Sequence, residues 1–165
     1  MGLKDNNTVK GGYEDYPGIA VPEGKTLTIE GDGSLDAYSN GYGCGIGGGY
    51  NMSGGNIVIN GGTITAAGGL YCAGIGSGCR SSCGNITING GTVTATGGES
   101  AAGIGSGWNG NCGNILITSN VTQVTATKGD DADYSIGSNG SGTCGTVTIG
   151  GVEGAIEESP YTYQP

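Results

Sequence analysis

The side chains best suited to ligand chemistry in this sequence are aromatic residues that border a recurrent glycine-rich stretch. Tyr42 and Tyr71 stand three residues before two copies of the stretch, and Tyr50 and Trp108 stand directly after two copies. Aromatic rings stack on apolar ligand faces, and ligand sites combine such walls with a few polar groups. Alternating glycines that point away from buried isoleucines would leave a flat floor of bare backbone, which suits the C–H faces of sugar rings. The residues predicted to form this saccharide site are Tyr42, Tyr50, Tyr71, Trp108, Gly76 and Gly105.

A purely structural explanation of the same residues stays open. Glycine also serves tight corners and the close approach of neighbouring backbones, and tyrosines can simply cover the edges of a sheet. Replacing Trp108 and Tyr50 by alanine and measuring how far polysaccharides retard the protein would separate the two explanations.

Carboxylates are the second group of residues that could do chemistry. Asp130, Asp131 and Asp133 lie in one loop, and oxygen ligands on a loop suit Ca²⁺, which is therefore the single candidate cofactor. A solvated acidic loop is the alternative, because the sequence contains no recognisable calcium-binding motif. The remaining acids are scattered and histidine is absent, so we predict no catalytic activity.

These side chains must be positioned by a repeat, because the chain copies itself with a period of about 29 residues. Residues 45–69, 74–98 and 103–129 are three copies, with looser copies at 18–38 and 135–156. Each copy holds three short segments in which β-branched and small residues alternate, separated by glycines. Self-similarity with such a period is typical of a solenoid.

Stacked copies would bury their apolar residues in continuous columns, with parallel strands about 4.8 Å apart. Parallel crossovers are almost always right-handed. We therefore predict an all-β fold, a right-handed single-stranded parallel β-helix of about five turns with three short strands per turn. The predicted inner columns are Ile19-Ile46-Ile75-Ile104-Ile136, Leu27-Ile57-Ile86-Ile115-Val147, Ile29-Ile59-Ile88-Ile117-Ile149 and Leu35-Ile64-Val93-Val124.

Two outward rows accompany these columns. Asparagines recur at strand ends, and stacked amides can hydrogen-bond along the axis, so we interpret them as structural. Threonines recur on one face, and regular Thr-x-Thr rows on a flat solenoid face also occur in ice-binding proteins, so ice binding is kept as a minor alternative. Threonine is an ordinary strand former, however. The threonines concerned are Thr63, Thr65, Thr92, Thr94, Thr96, Thr125 and Thr127.

The six cysteines can be paired through the repeat. Zinc is not expected, because the chain has no histidine and no paired C-x-x-C hooks. Equivalent positions in adjacent turns lie within disulfide range, and an even number of cysteines fits an oxidising setting. The predicted disulfides are Cys44–Cys72, Cys79–Cys83 and Cys112–Cys144. The alternative is a column of buried free thiols formed by Cys83, Cys112 and Cys144.

One copy carries a family resemblance. The pattern Ala-Gly-Ile-Gly-Ser-Gly … Cys-Gly-Asn-Ile-Thr-Ile-Asn-Gly-Gly-Thr-Val-Thr-Ala-Thr-Gly-Gly, residues 73–98, resembles repeats of large secreted or surface-anchored bacterial proteins. Some of these are described as adhesin-like or carbohydrate-binding parallel β-helices. The resemblance covers residues 18–156 and implies an extracellular, non-catalytic binding or stalk role. It assigns no individual binding residue, because a fold does not carry its activity with it.

The amino-acid composition limits the classes of partner that the protein could bind. A net charge of −9 with only five Lys and Arg argues against nucleic acid and anionic membranes, and no apolar run approaches a transmembrane length. We expect a glycan or another surface protein as the partner, at the bacterial cell surface; a structural stalk without a ligand is the alternative. We also expect a segment of a longer protein, with an N-terminal cap or arm at 1–17, the β-helix at 18–156 and a C-terminal cap at 157–165.

Overall fold

The computed structural model describes residues 1–11 and 14–165, and within those ranges every regular element is a β-strand. That part of the chain contains no helix that is long and apolar enough to cross a membrane. The strands, in chain order, are β1 (Gly2–Leu3), β2 (Asn6–Lys10), β3 (Ile19–Ala20), β4 (Thr26–Gly31), β5 (Ser34–Tyr38), β6 (Ile46–Gly47), β7 (Asn56–Ile59), β8 (Thr63–Ala67), β9 (Ile75–Gly76), β10 (Ile86–Ile88), β11 (Thr92–Thr96), β12 (Ile104–Trp108), β13 (Ile115–Ile117), β14 (Gln123–Thr127), β15 (Ile136–Asn139), β16 (Val147–Ile149), β17 (Val152–Glu153) and β18 (Tyr161–Tyr163).

The strands form three sheets in which neighbours come from successive turns. Sheet 1 has the order β1-β4-β7-β10-β13-β16-β17, sheet 2 the order β2-β5-β8-β11-β14-β18, and sheet 3 the order β3-β6-β9-β12-β15. Each central turn gives one strand to each sheet. The chain therefore winds as a parallel β-solenoid with three strands per turn.

The 29-residue period sets the register. Ile86 of β10 pairs with Ile57 of β7 on one side and with Ile115 of β13 on the other, and the strands of sheets 2 and 3 stack in the same way. Like residues therefore lie on like residues, and the predicted columns are confirmed. The predicted fold class is confirmed with them as a parallel solenoid of about five turns, and its right hand stays a prediction.

The core is a narrow stack of branched aliphatic side chains. Ile59, Ile88 and Ile117 are consecutive members of one column, and each is 0% exposed. Thr87, which lies between two inward residues of β10, is half-buried on the outer face. Burial of one such isoleucine contributes about 1.5–3 kcal/mol, so the stacked columns supply the main stabilisation of a fold this rich in glycine.

Asparagine ladders hold the turns together at the strand ends, as the sequence predicted. The Asn56 side-chain oxygen accepts a hydrogen bond from the Asn85 backbone N–H at 2.8 Å, and Asn85 does the same for Asn114 at 2.9 Å. A second ladder joins the Asn89 amide to the Asn60 oxygen at 2.9 Å. Each bond satisfies a backbone or side-chain group that the sheets leave unpaired.

Strands outside the repeat cover both ends of the solenoid. Within the N-terminal segment predicted as a cap or arm, β1 and β2 stack parallel on β4 and β5. At the other end, β17 and β18 pair antiparallel with β16 and β14. These end strands occupy sheet edges that would otherwise expose unpaired backbone groups. Strands on both sides of the predicted domain boundaries thus belong to the same sheets.

The cysteines are paired only in part as predicted. Cys112 and Cys144 occupy the same position in adjacent turns and form a disulfide, with their Cα atoms 4.4 Å apart. Cys83, one turn earlier, is a buried free thiol, and burial raises its pKa to about 12. The predicted Cys112–Cys144 disulfide is confirmed, and the alternative column of free thiols is reduced to Cys83.

The other two predicted disulfides, Cys44–Cys72 and Cys79–Cys83, are wrong, because all four of these cysteines are free. The Cys44 thiol donates a hydrogen bond to the Gly76 carbonyl at 3.4 Å, and the Cys72 thiol donates one to the Tyr42 carbonyl at 2.9 Å. The neighbouring Cys44 thiol lowers the pKa of Cys72. Burial raises the pKa of Cys44. Cys79 packs beside these two thiols, whereas Cys83 belongs to the aliphatic core, so the second pair is divided between two separate clusters.

Candidate functional site: an aromatic pocket

Four aromatic side chains come together at one corner of the solenoid, where the chain enters and leaves sheet 3. Tyr42 stacks on Tyr71 of the next turn with ring centroids 6.4 Å apart and an angle of 28° between the planes. Tyr50 meets Tyr42 edge-on at 5.8 Å, and Trp108 lies 6.1 Å from Tyr71. The repeat thus brings all four predicted aromatic residues into one continuous patch.

This aromatic patch lines a pocket with a cavity volume of about 370 Å³. The four rings are half-buried, so each is packed by the protein and still reaches solvent. A volume of this size lies within the range of about 300–1,000 Å³ that is usual for small-molecule sites. The lining residues are Asp15, Tyr42, Tyr50, Tyr71, Cys79, Arg80 and Trp108.

A buried cluster of small side chains supports the pocket from behind. The Cys72 thiol donates a hydrogen bond to the Tyr42 carbonyl at 2.9 Å, and the Trp108 backbone N–H donates to the Tyr71 carbonyl, also at 2.9 Å. These bonds tie the backbones of the aromatic residues to neighbouring turns, so the walls of the pocket are pre-formed. The supporting cluster consists of Cys44, Cys72, Ala73 and Cys79, against which Tyr50, Tyr71 and Trp108 pack.

Backbone strain concentrates at this pocket. Among the described residues, four that are not glycine have a clearly positive φ: Asn51 at 52°, Tyr71 at 62°, Arg80 at 53° and Asn109 at 53°. Asparagine visits this left-handed region readily, whereas larger side chains are disfavoured there. The two residues that tolerate it least, Tyr71 and Arg80, both line the pocket. Strain of this kind persists where the surrounding structure enforces it, and it often marks a functional site.

Sequence reasoning missed two charged residues of the pocket, Arg80 and Asp15. The Arg80 guanidinium lies 5.1 Å from the centroid of the Trp108 ring, and both charged side chains are exposed. A signal for Arg80 was present, because the period places it where Asn51 and Asn109 stand in the adjacent turns. Asp15 lies outside the repeat, so no periodic signal pointed to it.

The predicted glycine floor is wrong. Gly76 and Gly105 are buried and are absent from the pocket lining. Their φ angles are +140° and +130°, and a Cβ atom on Gly76 would lie 1.9 Å from the carbonyl oxygen of Gly105. The glycines therefore permit a close approach of neighbouring turns, as the structural explanation of the sequence proposed. They do not alternate outward as residues of a regular strand would.

The predicted calcium site is not assembled. In the part of the chain that the structure describes, no group of three or more acidic, cysteine or histidine side chains converges so as to hold a metal. Asp130 and Asp131 are exposed, whereas the Asp133 carboxylate accepts a hydrogen bond from the Gly140 backbone N–H at 3.1 Å. The Lys128 amine donates to the Asp133 carbonyl at 2.8 Å. The three predicted ligands are therefore not brought together, because Asp133 turns toward the next loop, and calcium binding stays a prediction.

The threonine rows lie on sheet 2, away from the pocket. Thr94 pairs in register with Thr65 on one side and with Thr125 on the other. The row continues at one end into Thr162 of β18, while Asp36 interrupts it on β5. Sheet 2 therefore presents a short, regular threonine face whose central column is three residues deep within the repeat and four with Thr162.

The comparison with protein families agrees with this architecture. A family model described as a beta helix repeat matches residues 27–50, 57–79 and 86–108, which are equivalent parts of three successive turns. Together with the stacked registers, these matches support a β-helix repeat domain. Neither the comparison with curated proteins nor the comparison with solved structures gives a match.

Proposed function

We propose that this β-helix is a non-catalytic interaction module that binds a saccharide in the aromatic pocket. The observation that carries the proposal is the convergence of four half-buried aromatic rings from three turns on one cavity of about 370 Å³. Rings in this arrangement offer apolar faces to the C–H faces of a sugar, and their polar edges remain available for hydroxyl groups. The pre-formed walls favour binding, because little side-chain freedom is lost when the ligand arrives.

The non-catalytic character is supported by the chemistry of the pocket lining. Asp15 is the single carboxylate among the described lining residues. Hydrolysis of a glycosidic bond ordinarily requires two carboxylates that flank the bond. The pocket is accordingly better suited to holding a saccharide than to cleaving it.

An extracellular location at a bacterial surface belongs to the same proposal. The Cys112–Cys144 disulfide fits an oxidising compartment, and the resemblance of the repeat to surface-protein repeats points the same way. The expected partner is a glycan or a glycosylated surface protein. Nucleic acid is an unfavourable partner for a chain with a net charge of −9.

A glycan array with matched variants tests this function. We expect an array signal that Trp108→Ala weakens by about tenfold or more, because the variant removes the largest ring of the pocket. Tyr38→Ala is the control: Tyr38 lies on sheet 2, and its register partner in the next turn is already Ala67. Equal binding by the wild-type protein and Trp108→Ala would remove the pocket as the site. Absence of any glycan signal would favour the structural stalk.

The register of the threonines supports ice binding as a second candidate function. Thr65, Thr94 and Thr125 form one straight column on sheet 2, and such an array could order water on a flat face. A concentrated solution should then show thermal hysteresis that Thr94→Lys abolishes. A freezing point equal to the melting point would exclude this candidate.

A further inference from the structure

Arg80 occupies a backbone position that equivalent turns fill with different residues. The position follows Tyr50, Cys79, Trp108 and Asn139, of which the first three line the pocket. It has a φ of 52° at Asn51, 53° at Arg80, 53° at Asn109 and 65° at Gly140. The same inter-turn hydrogen bond recurs there, from Asn51 N–H to Cys79, from Arg80 N–H to Trp108 and from Asn109 N–H to Asn139. The fold thus places a left-handed residue at this point in four successive turns.

Asparagine and glycine satisfy that requirement with little strain, whereas a long side chain does so unfavourably. Three turns contribute the preceding residue, Tyr50, Cys79 or Trp108, to the pocket lining, and arginine stands at the position only in the middle one, where it lines the pocket itself. A residue that violates a local backbone preference at a cavity is a ground for assigning it a role there. The arginine is therefore better explained by its side chain than by its backbone.

The Arg80 side chain is placed to receive an anion. Its guanidinium is exposed and lies 5.1 Å from the Trp108 ring centroid, an arrangement in which the ring orients the cation. The planar fork of N–H donors then remains available, and it matches the two oxygens of a carboxylate. Arg80 is also the single cationic residue in the described lining of the pocket.

The second charged residue limits how much negative charge the ligand can bring. Asp15 lines the same pocket, and a carboxylate repels a densely charged ligand while it accepts hydrogen bonds from hydroxyl groups. The pocket therefore favours a sugar with one carboxylate and several hydroxyls over a polysulfate or a polyphosphate. This combination describes a uronic acid residue.

We propose that the saccharide bound in the aromatic pocket contains a uronic acid, whose carboxylate is held by Arg80 while its ring lies against the aromatic side chains. This inference rests on the proposed saccharide-binding function and specifies its ligand class.

The test compares each acidic oligosaccharide with its own neutral form. Tetrasaccharides of galacturonate and of mannuronate, and a glucuronate-containing hyaluronan tetrasaccharide, are titrated by calorimetry beside their carboxyl-reduced counterparts. At least one acidic form should bind about tenfold or more tighter than its reduced counterpart, because a charged hydrogen-bonded pair is lost on reduction. The preference should also shrink as salt is raised, since exposed charges are screened.

Arg80→Asn is the matched variant, because it introduces the residue that stands at this position in the turns before and after. It should keep or slightly raise the thermal melting temperature and abolish the preference for the acidic form. Arg80→Lys, which keeps the charge but loses the planar fork, should retain part of the preference. Trp108→Ala should weaken acidic and neutral forms alike.

The outcomes separate this inference from the proposed function. Binding of acidic and reduced tetrasaccharides with equal, Trp108-dependent affinity would overturn the uronate assignment and leave saccharide binding in place. An acid preference that survives in a folded Arg80→Asn variant would overturn the role of Arg80. If the wild-type protein binds no member of the panel, the uronate inference fails, and the glycan array decides the broader function by itself.

Discussion

Sheet 1 and the aromatic pocket are made by the same 29-residue repeat, yet they use it in opposite ways. In sheet 1 the buried position of successive turns holds Ile59, Ile88 and Ile117 without change. At the corner beside sheet 3 the equivalent position holds Tyr50, then Cys79, then Trp108. In both regions the backbone conformation repeats from turn to turn, but only at the corner do the side chains change from one turn to the next.

The difference separates the residues that make the fold from those that could serve a ligand. A column of identical side chains stacks best when every turn matches its neighbours, so uniformity there is explained by packing. Stacking does not require a tyrosine in one turn and a tryptophan in another. Nor does it require Arg80 where asparagine or glycine would relieve the backbone. Non-uniform positions at a cavity are therefore where we place recognition.

The largest expected effect comes from Gly76 of sheet 3, where the backbones of neighbouring turns approach closely. Gly76→Ala would set a Cβ atom 1.9 Å from the Gly105 carbonyl oxygen at a φ of +140°, and we expect a loss of stability on the order of 4 kcal/mol. Gly2→Ala is the control, because nothing lies within 4 Å of a Cβ atom added there. Urea unfolding followed by circular dichroism measures both. Equal stability of the two variants would mean that the turns are not in contact at Gly76.

A smaller loss of stability should follow from truncating one isoleucine of the uniform column in sheet 1. Ile88→Ala leaves a cavity between Ile59 and Ile117, and we expect a cost of about 3 kcal/mol. Thr87→Ala, one residue away on the outer face, should cost less than about 1 kcal/mol. If the two substitutions cost the same in denaturant unfolding, the inward and outward assignment of β10 would be wrong.

The disulfide tests the column of Cys83, Cys112 and Cys144, in which only the last two cysteines are bonded to each other. Reduction of Cys112–Cys144, which spans 32 residues, should cost about 2–3 kcal/mol by releasing a constraint on the unfolded chain. Cys83→Ala, at the free thiol of the preceding turn, is the control and should not respond to reductant differently from wild type. Thiol titration of the unfolded protein should count four thiols before reduction and six after. A count of zero thiols before reduction would mean that the other four cysteines are disulfide-bonded as well.

The smallest expected effect lies at the pocket and has the opposite sign. Arg80→Asn should stabilise the protein by up to about 1 kcal/mol, because asparagine relieves the left-handed backbone. Asn51→Arg, the reverse change at the equivalent position of another turn, should destabilise by a similar amount. Destabilisation by Arg80→Asn would show that the arginine stabilises the fold. The pocket would then not differ from sheet 1 in holding a residue that the fold does not require.

The sequence was sufficient for the fold because periodicity constrains it at every turn. One register that aligns Ile57, Ile86 and Ile115 also aligns the remaining columns, so local ambiguity is resolved collectively. The same period predicted which aromatic residues would meet. The distances between these aromatic rings depend on the conformation of the loops, and the stacked columns of apolar residues do not determine that conformation.

The failures have equally specific causes. The outward glycine floor assumed strict strand alternation, which a φ of +140° at Gly76 breaks. The Cys44–Cys72 prediction used proximity alone, whereas each thiol donates its hydrogen bond to a backbone carbonyl, that of Gly76 or Tyr42. Asp15 reaches the pocket from outside the repeat, so no periodic argument could have placed it there.

The chain contains a single tryptophan, and it stands in the pocket, so its fluorescence tests the central claim most directly. The saccharide with the strongest array signal is titrated while Trp108 emission is recorded, and the affinity is compared with that from calorimetry. Recognition at the aromatic pocket predicts a saturable change in emission with the same affinity by both methods, and loss of binding in Tyr71→Ala. Calorimetric binding that leaves Trp108 emission unchanged and survives Tyr71→Ala would place the ligand elsewhere and contradict the account.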